Sequence, residues 1–207
     1  MTIRECRRAA SWPPAFLAAL VGLALAGLLP AGCASPPVRF YTLGAPAIAA
    51  GAQPAGPVGP AARTVTVDRV VLPDYLDGQD LVVRTGNRIL RSDRGRWASR
   101  LSLGATDLIT ARLGQARSDL FVTDQPQVLP AAWRLAVNVS RLDVTRDGTA
   151  SLDADWSIIP HDPRAPILHQ RAFVTRDGSA ATDDDTARLT EAVLDQLAAR
   201  IVASWPR

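Results

Sequence analysis

Between Ala150 and Ile158 the chain alternates without a break: Ala150, Leu152, Ala154, Trp156 and Ile158 share one parity, and Ser151, Asp153, Asp155 and Ser157 share the other. A period of two puts successive side chains on opposite faces of a strand, so this segment has one buried and one wet face. Upstream, Leu135, Val137 and Val139 keep the same period and then shift phase to Leu142 and Val144, which predicts a bulge near Ser140. Asp147-Gly148 between the two runs is a hairpin signal. Ile167 to Thr175 supplies a third strand, which ends at Asp177-Gly178. These strands commit the chain to an antiparallel sheet whose apolar face must be covered.

The cover is legible further on. Asp183 to Thr186 opens a helix in which Leu189, Val193, Leu197, Ile201 and Trp205 recur every fourth residue, with Leu194 and Ala198 widening the apolar stripe. A second helix follows Trp97, carrying Leu101, Ala105, Leu108 and Ala111 or Arg112 at helical spacing, with Gly114 closing it. Thr64 to Leu72 reads as a buried strand that stops at Pro73-Asp74. Asp77-Gly78 is a turn, and Leu81 to Arg84 pairs with Arg88 to Leu90 through Thr85-Gly86-Asn87. Leu120 to Thr123 is a short strand. The expected fold is α+β: a mostly antiparallel sheet with two helices packed on one face, a single domain after a signal peptide and a flexible linker.

The N-terminus has a different character. A basic start with Arg4, Arg7 and Arg8 leads into an apolar run from Ala15 to Leu29 and then Pro30-Ala31-Gly32-Cys33, the anatomy of a secretory signal. The apolar run holds fifteen residues and stops at a proline, whereas a membrane span needs about 20. Ala31 and Gly32 are small residues suited to cleavage, and a cysteine directly after them resembles a lipobox, although Pro30 stands where that pattern has leucine. Plain cleavage after Ala31 or Gly32 would leave a free thiol. Signal anatomy and cysteine position are independent cues that agree on lipidation of Cys33. Cys6 leaves with the signal, so the mature chain has no partner for a disulfide, and a lone thiol in an oxidising compartment is a liability unless acylated. At ~0.8 kcal/mol per buried methylene, two or three acyl chains anchor a protein durably to a bilayer. The resemblance to bacterial lipoproteins implies a sorting rule that keeps chains with aspartate after the cysteine in the inner membrane, so Ala34 there points to the outer membrane, facing the periplasm.

This divides the chain into a signal peptide at 1–32, a lipidated start with a short strand and an Ala/Gly/Pro-rich linker at 33–62, and a folded domain at 63–207. The linker would set the distance between lipid and domain. The apolar piece Phe40 to Leu43 is expected to return as a strand on the domain. From Cys33 onward 20 arginines face 19 carboxylates, so the mature protein is nearly neutral and has no basic stripe for nucleic acid.

Catalytic and ligand-binding signals are weak. His161 and His169 have no metal-ligand spacing, and read as a loop residue and a strand-surface residue. Asp183-Asp184-Asp185 lacks the spaced ligands and glycine turn of a calcium loop and instead suits the first turn of a helix, where carboxylates meet free amides. Gly51, Gly56 and Gly59 lie among prolines and make no phosphate cradle. There is no nucleophile elbow, although a Ser-His-Asp site need leave no sequence signature. Trp97, Trp133, Trp156 and Trp205 read as core residues. No cofactor is implied.

Four segments carry a further pattern: Phe40-Tyr41-Thr42-Leu43, the run Val67-Asp68-Arg69-Val70-Val71-Leu72-Pro73 followed by Tyr75-Leu76, Leu81-Val82-Val83-Arg84, and Arg96-Trp97-Ala98. Together they resemble the ABC-type transport auxiliary lipoproteins, the PqiC-like or paraquat-inducible protein C family. The resemblance implies a non-enzymatic subunit that works with an ABC permease, its ATPase and an MCE-domain (mammalian cell entry) protein bridging the periplasm, in lipid transport between membranes and the upkeep of envelope integrity. It carries no residue-level site. A docking cap on a ring-shaped partner would itself be a cyclic homo-oligomer. The competing classes are a structural or assembly lipoprotein for outer-membrane proteins or the cell wall, and a hydrolase of unrecognised geometry.

Overall fold

The computed structural model describes residues 36–44, 59 and 62–206. The expected signal at 1–32, Cys33 and most of the Ala/Gly/Pro-rich linker lie outside the described residues. Pro37–Arg207 makes one compact unit. Its strands are β1 (Arg39–Tyr41), β2 (Arg63–Val67), β3 (Asp80–Thr85), β4 (Arg88–Trp97), β5 (Leu120–Thr123), β6 (Trp133–Val144), β7 (Thr149–Pro160) and β8 (Leu168–Asp177). Its helices are α1 (Leu101–Ala116) and α2 (Asp183–Ser204).

The α+β class and both helices are as expected, but the strands divide over two mixed sheets. The larger runs β5-β2-β6-β7-β8 and the smaller β1-β4-β3. The antiparallel hairpins are β3-β4, β6-β7 and β7-β8, whereas β2 is parallel to both β5 and β6, and β1 is parallel to β4. Alternation predicts which face of a strand is buried, but it carries no information on the direction of a neighbour that is distant in sequence.

The alternating strand sits at the centre of this plan. On β7, Ala150, Leu152, Ala154, Trp156 and Ile158 are all buried. The phase change on β6 is a bulge: the register passes from Val139↔Ala154 to Arg141↔Asp153, leaving Ser140 unpaired in the ladder. Gly148 closes the hairpin at φ +91°, and a Cβ there would lie 2.0 Å from the Gly178 carbonyl oxygen, so only glycine fits.

On the covered side, Val193, Leu194, Leu197 and Ile201 of α2 meet Leu135, Leu152 and Ile158 of the sheet in one core with Ile109 and Leu113 of α1. Each such side chain contributes about 1.5–3 kcal/mol of burial. Trp97, Trp156 and Trp205 are buried as expected, and Trp133 is half-buried with its ring edge-on to Trp205 at 6.5 Å. Trp156 also donates its indole N–H to Ser204 Oγ at 3.1 Å, which fixes the end of α2.

Three local readings change. α1 continues through Gly114 to Ala116, and its buried face runs through Ile109 and Leu113 in place of Ala111 or Arg112, because Leu120 and Leu135 complete the core on that side. β4 continues past Leu90 through a polar stretch, since β1 supplies a ladder partner from Gly95 to Trp97 and Ser92 Oγ accepts from the Arg94 and Gly95 amides. The strand expected from Thr64 to Leu72 breaks after Val67 and touches the sheet again at Val71, which pairs with Asn138.

Candidate functional site

The break after Val67 is where the pieces of the fold are tied together. Val70 turns its N–H from the ladder to Thr106 Oγ1 at 2.9 Å, and the Thr106 hydroxyl donates in turn to the Ser102 carbonyl. Arg69 reaches the start of α1, donating from Nε to Ser102 Oγ at 2.9 Å and from Nη2 to Asp77 at 3.2 Å. Hydrogen bonding from Ser102, aided by the charges of Arg69 and Arg100, holds the Asp77 carboxyl below its ordinary range against the opposing effect of burial. α1 has no side-chain cap, and its first amide donates instead to the Gly78 carbonyl.

A second tie joins the sheets. Arg84 on β3 donates from Nε to Asp143 on β6 at 2.6 Å, and Asp143 is only 8% exposed. The guanidinium also lies 5.7 Å from the Tyr75 ring and donates to its hydroxyl. Hydrogen bonding to Asp143 raises the Arg84 pKa, which keeps the guanidinium charged. A third tie lies at the start of α2, where Asp183 accepts from Ser92 Oγ at 2.8 Å. A Cβ on Gly95 would come within 2.8 Å of the Asp183 carboxyl carbon, so glycine at 95 permits this approach.

The Arg69, Tyr75, Arg84 and Trp97 positions of the family resemblance therefore belong to the junctions among the small sheet, the large sheet and α1. Tyr41 packs against the core and Leu43 is buried in it, while Phe40 between them is 67% exposed.

The acidic run has the capping role. Thr182 is the N-cap, its hydroxyl accepting from the Asp185 N–H at 3.1 Å while Asp185 accepts from the Thr182 N–H at 3.2 Å. Arg188, together with Ser179 and Thr182, holds the Asp185 carboxyl at about 2. Asp183 serves the Ser92 contact and Asp184 lies 3.9 Å from Arg39.

His169 is exposed on β8, where its Nδ1 shares a hydrogen bond with Ser157 Oγ at 2.8 Å. His161 lies in the loop after β7 and lines an open hollow with Thr66, Arg134 and Pro160. The structure does not bring the two histidines to one site: among the described residues no group of three His, Cys, Asp or Glu side chains could hold a metal ion. Ser157 and His169 have no carboxylate hydrogen-bonded to the ring among the described residues, and their pairing is a cross-strand contact of the open sheet face.

That open face is built from such pairs. Arg141 meets Asp153 at 3.1 Å and lies over the Phe173 ring at 5.8 Å, and Asn138 donates to Asp155 at 3.0 Å. Beyond the sheets, the loop after β5 exposes Val128 and Leu129 at 101% and 77%. Two exposed apolar residues flanked by Pro126 and Pro130 are readable in the sequence only as loop composition; their full exposure is a tertiary fact. What these surfaces offer is contact area for a macromolecule. Cys33, the site residue named by the sequence, lies outside the described residues.

A family model described as the ABC-type transport auxiliary lipoprotein component matches residues 41–202. The chain is 28% identical over 135 residues to the intermembrane transport lipoprotein PqiC of Escherichia coli (strain K12), covering 64% of this chain and 70% of that protein. The same values hold for the PqiC of Shigella flexneri. A crystal structure of an uncharacterized protein superposes with a TM-score of 0.64 at 19% identity, over 81% of this chain and 98% of that one. A protein from Xanthomonas campestris gives 0.56 at 17% identity, over 81% and 90%. The two structures share the fold, and the family match takes in both sheets and both helices from the last residue of β1 to the final turn of α2. The chain belongs to the ABC-type transport auxiliary lipoprotein component family.

Proposed function

We propose that this protein is a lipoprotein anchored through Cys33 in the outer membrane, facing the periplasm, and that it serves as a non-catalytic auxiliary subunit of an MCE/ABC-type system moving lipid between membranes. The observation that carries the reading is the family match over 41–202, which is nearly the whole compact unit. The relatives named as intermembrane transport lipoproteins favour the same role. The polar groups at the junctions are engaged in holding the fold together, which leaves open surfaces as the working parts.

The test is affinity purification of the full, lipid-processed protein from detergent-solubilised envelopes. Co-purification of an MCE-domain protein or an ABC permease supports the role. Recovery of outer-membrane assembly proteins in their place would transfer the protein to the structural class. Mass spectrometry of the mature N-terminus should find acylated Cys33, and an unmodified thiol there would remove the anchor.

A further inference from the structure

The short strand expected at Phe40 to Leu43 is β1, and it belongs to the compact unit. Phe40 is in register with Arg96, the Tyr41 carbonyl accepts from the Ala98 N–H at 2.7 Å, and Leu43 enters the core. The Ala/Gly/Pro-rich stretch therefore connects β1 to β2, two strands of one fold, and cannot set the distance from lipid to domain. That distance belongs to the residues between Cys33 and β1. Val38 lies five residues after Cys33, with Pro36 and Pro37 in between. At ~3.3–3.6 Å per residue that tether spans at most about 18 Å. A unit of this size has a radius of gyration of about 15 Å, so the tether is shorter than the domain is wide. The polar headgroup layer alone occupies about 5–8 Å on each side of the hydrocarbon.

The residues at the end of the tether suit such a place. Along β1 alternate side chains face opposite ways. Tyr41 packs on the core, and Val38 and Phe40, of the other parity, are 49% and 67% exposed. Arg39 and Arg94 line a neighbouring hollow together with Asp93 and Asp183, so the local charge nearly balances and the apolar side chains, not net charge, distinguish the spot.

We propose that Val38 and Phe40 rest in the headgroup layer of the bilayer that holds Cys33, so that the edge of the small sheet at β1 is the membrane-facing side of the domain. This rests on the reading that Cys33 is lipidated. The geometry follows from a short tether ending on a strand that has no slack: once the lipid is inserted, the first residues of the domain have nowhere distant to go, and the exposed pair removes apolar area from water by lying in the interface.

An acylated Cys33 leaves the mature chain without a free thiol, so an introduced cysteine takes a label alone. The lipid-processed variants Phe40→Cys and Val38→Cys, and Phe173→Cys on the open sheet face, each carry an environment-sensitive fluorophore. They are reconstituted into vesicles of phosphatidylethanolamine and phosphatidylglycerol. The expected result is a shift to shorter wavelength and strong quenching by headgroup-borne nitroxide at positions 38 and 40, with neither at 173. Protein that floats with the vesicles while position 40 stays as wet as 173 overturns this inference alone. Protein that fails to float, or takes the label on Cys33, overturns the anchor and this inference with it.

Discussion

Asp185 is the residue at which local chemistry is most fully expressed. It closes the capping box with Thr182, accepts from Ser179 and pairs with Arg188, and its carboxyl is held at about 2 against an ordinary 3.8. Asp119 is held at about 2 in the same way by Arg117. Folded values below the unfolded ones mean that the ionised carboxylates favour the fold above the unfolded value, and that this contribution is lost as protons return. Stability should therefore fall as pH drops from 3.8 towards about 2, with no loss from these groups above that window. Urea denaturation across this range should show Asp185→Asn starting lower at neutral pH and losing less on acidification. Parallel wild-type and variant curves would deny the carboxylate its part. The aspartate run suggests a cap from sequence alone, and the Thr182–Asp185 box and the Arg188 pair are local to the helix start, whereas the contacts of Asp183 with Ser92 and of Asp184 with Arg39 depend on where the chain brings β4 and β1.

At the scale of elements, the connection that matters most is the one between sheets. β3 and β6 touch through the bridge Arg84↔Thr145 and the Arg84–Asp143 pair. Removing one partner of a buried ion pair leaves a charge without compensation, at a cost of about 3–5 kcal/mol when burial is complete. Arg84 retains 26% exposure, which allows water to compensate in part, so Asp143→Ala should cost ~2–3 kcal/mol. A double-mutant cycle with Arg84→Ala by urea denaturation should return a coupling of about 1–2 kcal/mol, and additive single effects would mean that the sheets are joined by other contacts. Nothing in the local sequence of Leu81 to Arg84 or Leu142 to Val144 identifies this pair. Each strand announces its own pattern, while the partner of a charged residue 59 positions away is chosen by the packing of the two sheets.

For the whole molecule, the standing of β1 is decisive. A division at residue 63 leaves the short strand expected at Phe40 to Leu43 outside the folded domain, yet Tyr41 and Leu43 complete the core and the small sheet has β1 as its edge. A chain starting at Arg63 should be less stable than one starting at Pro37 by about 3–5 kcal/mol, the burial of two large side chains. The expected drop in Tm is on the order of 10 °C. Equal melting curves would return β1 to the linker. The sequence by itself determined the buried face of each long strand, the bulge at Ser140 and the two helices, because periodicity and caps act over a few residues. It also contained the family pattern, without saying what its residues do. Tertiary structure alone decided the parallel pairings of β1 and β2, the split into two sheets, the ties of Arg69 and Arg84, and the exposure of Phe40. Those depend on which distant segments meet, and a chain's local alternation is the same whichever neighbour it finds.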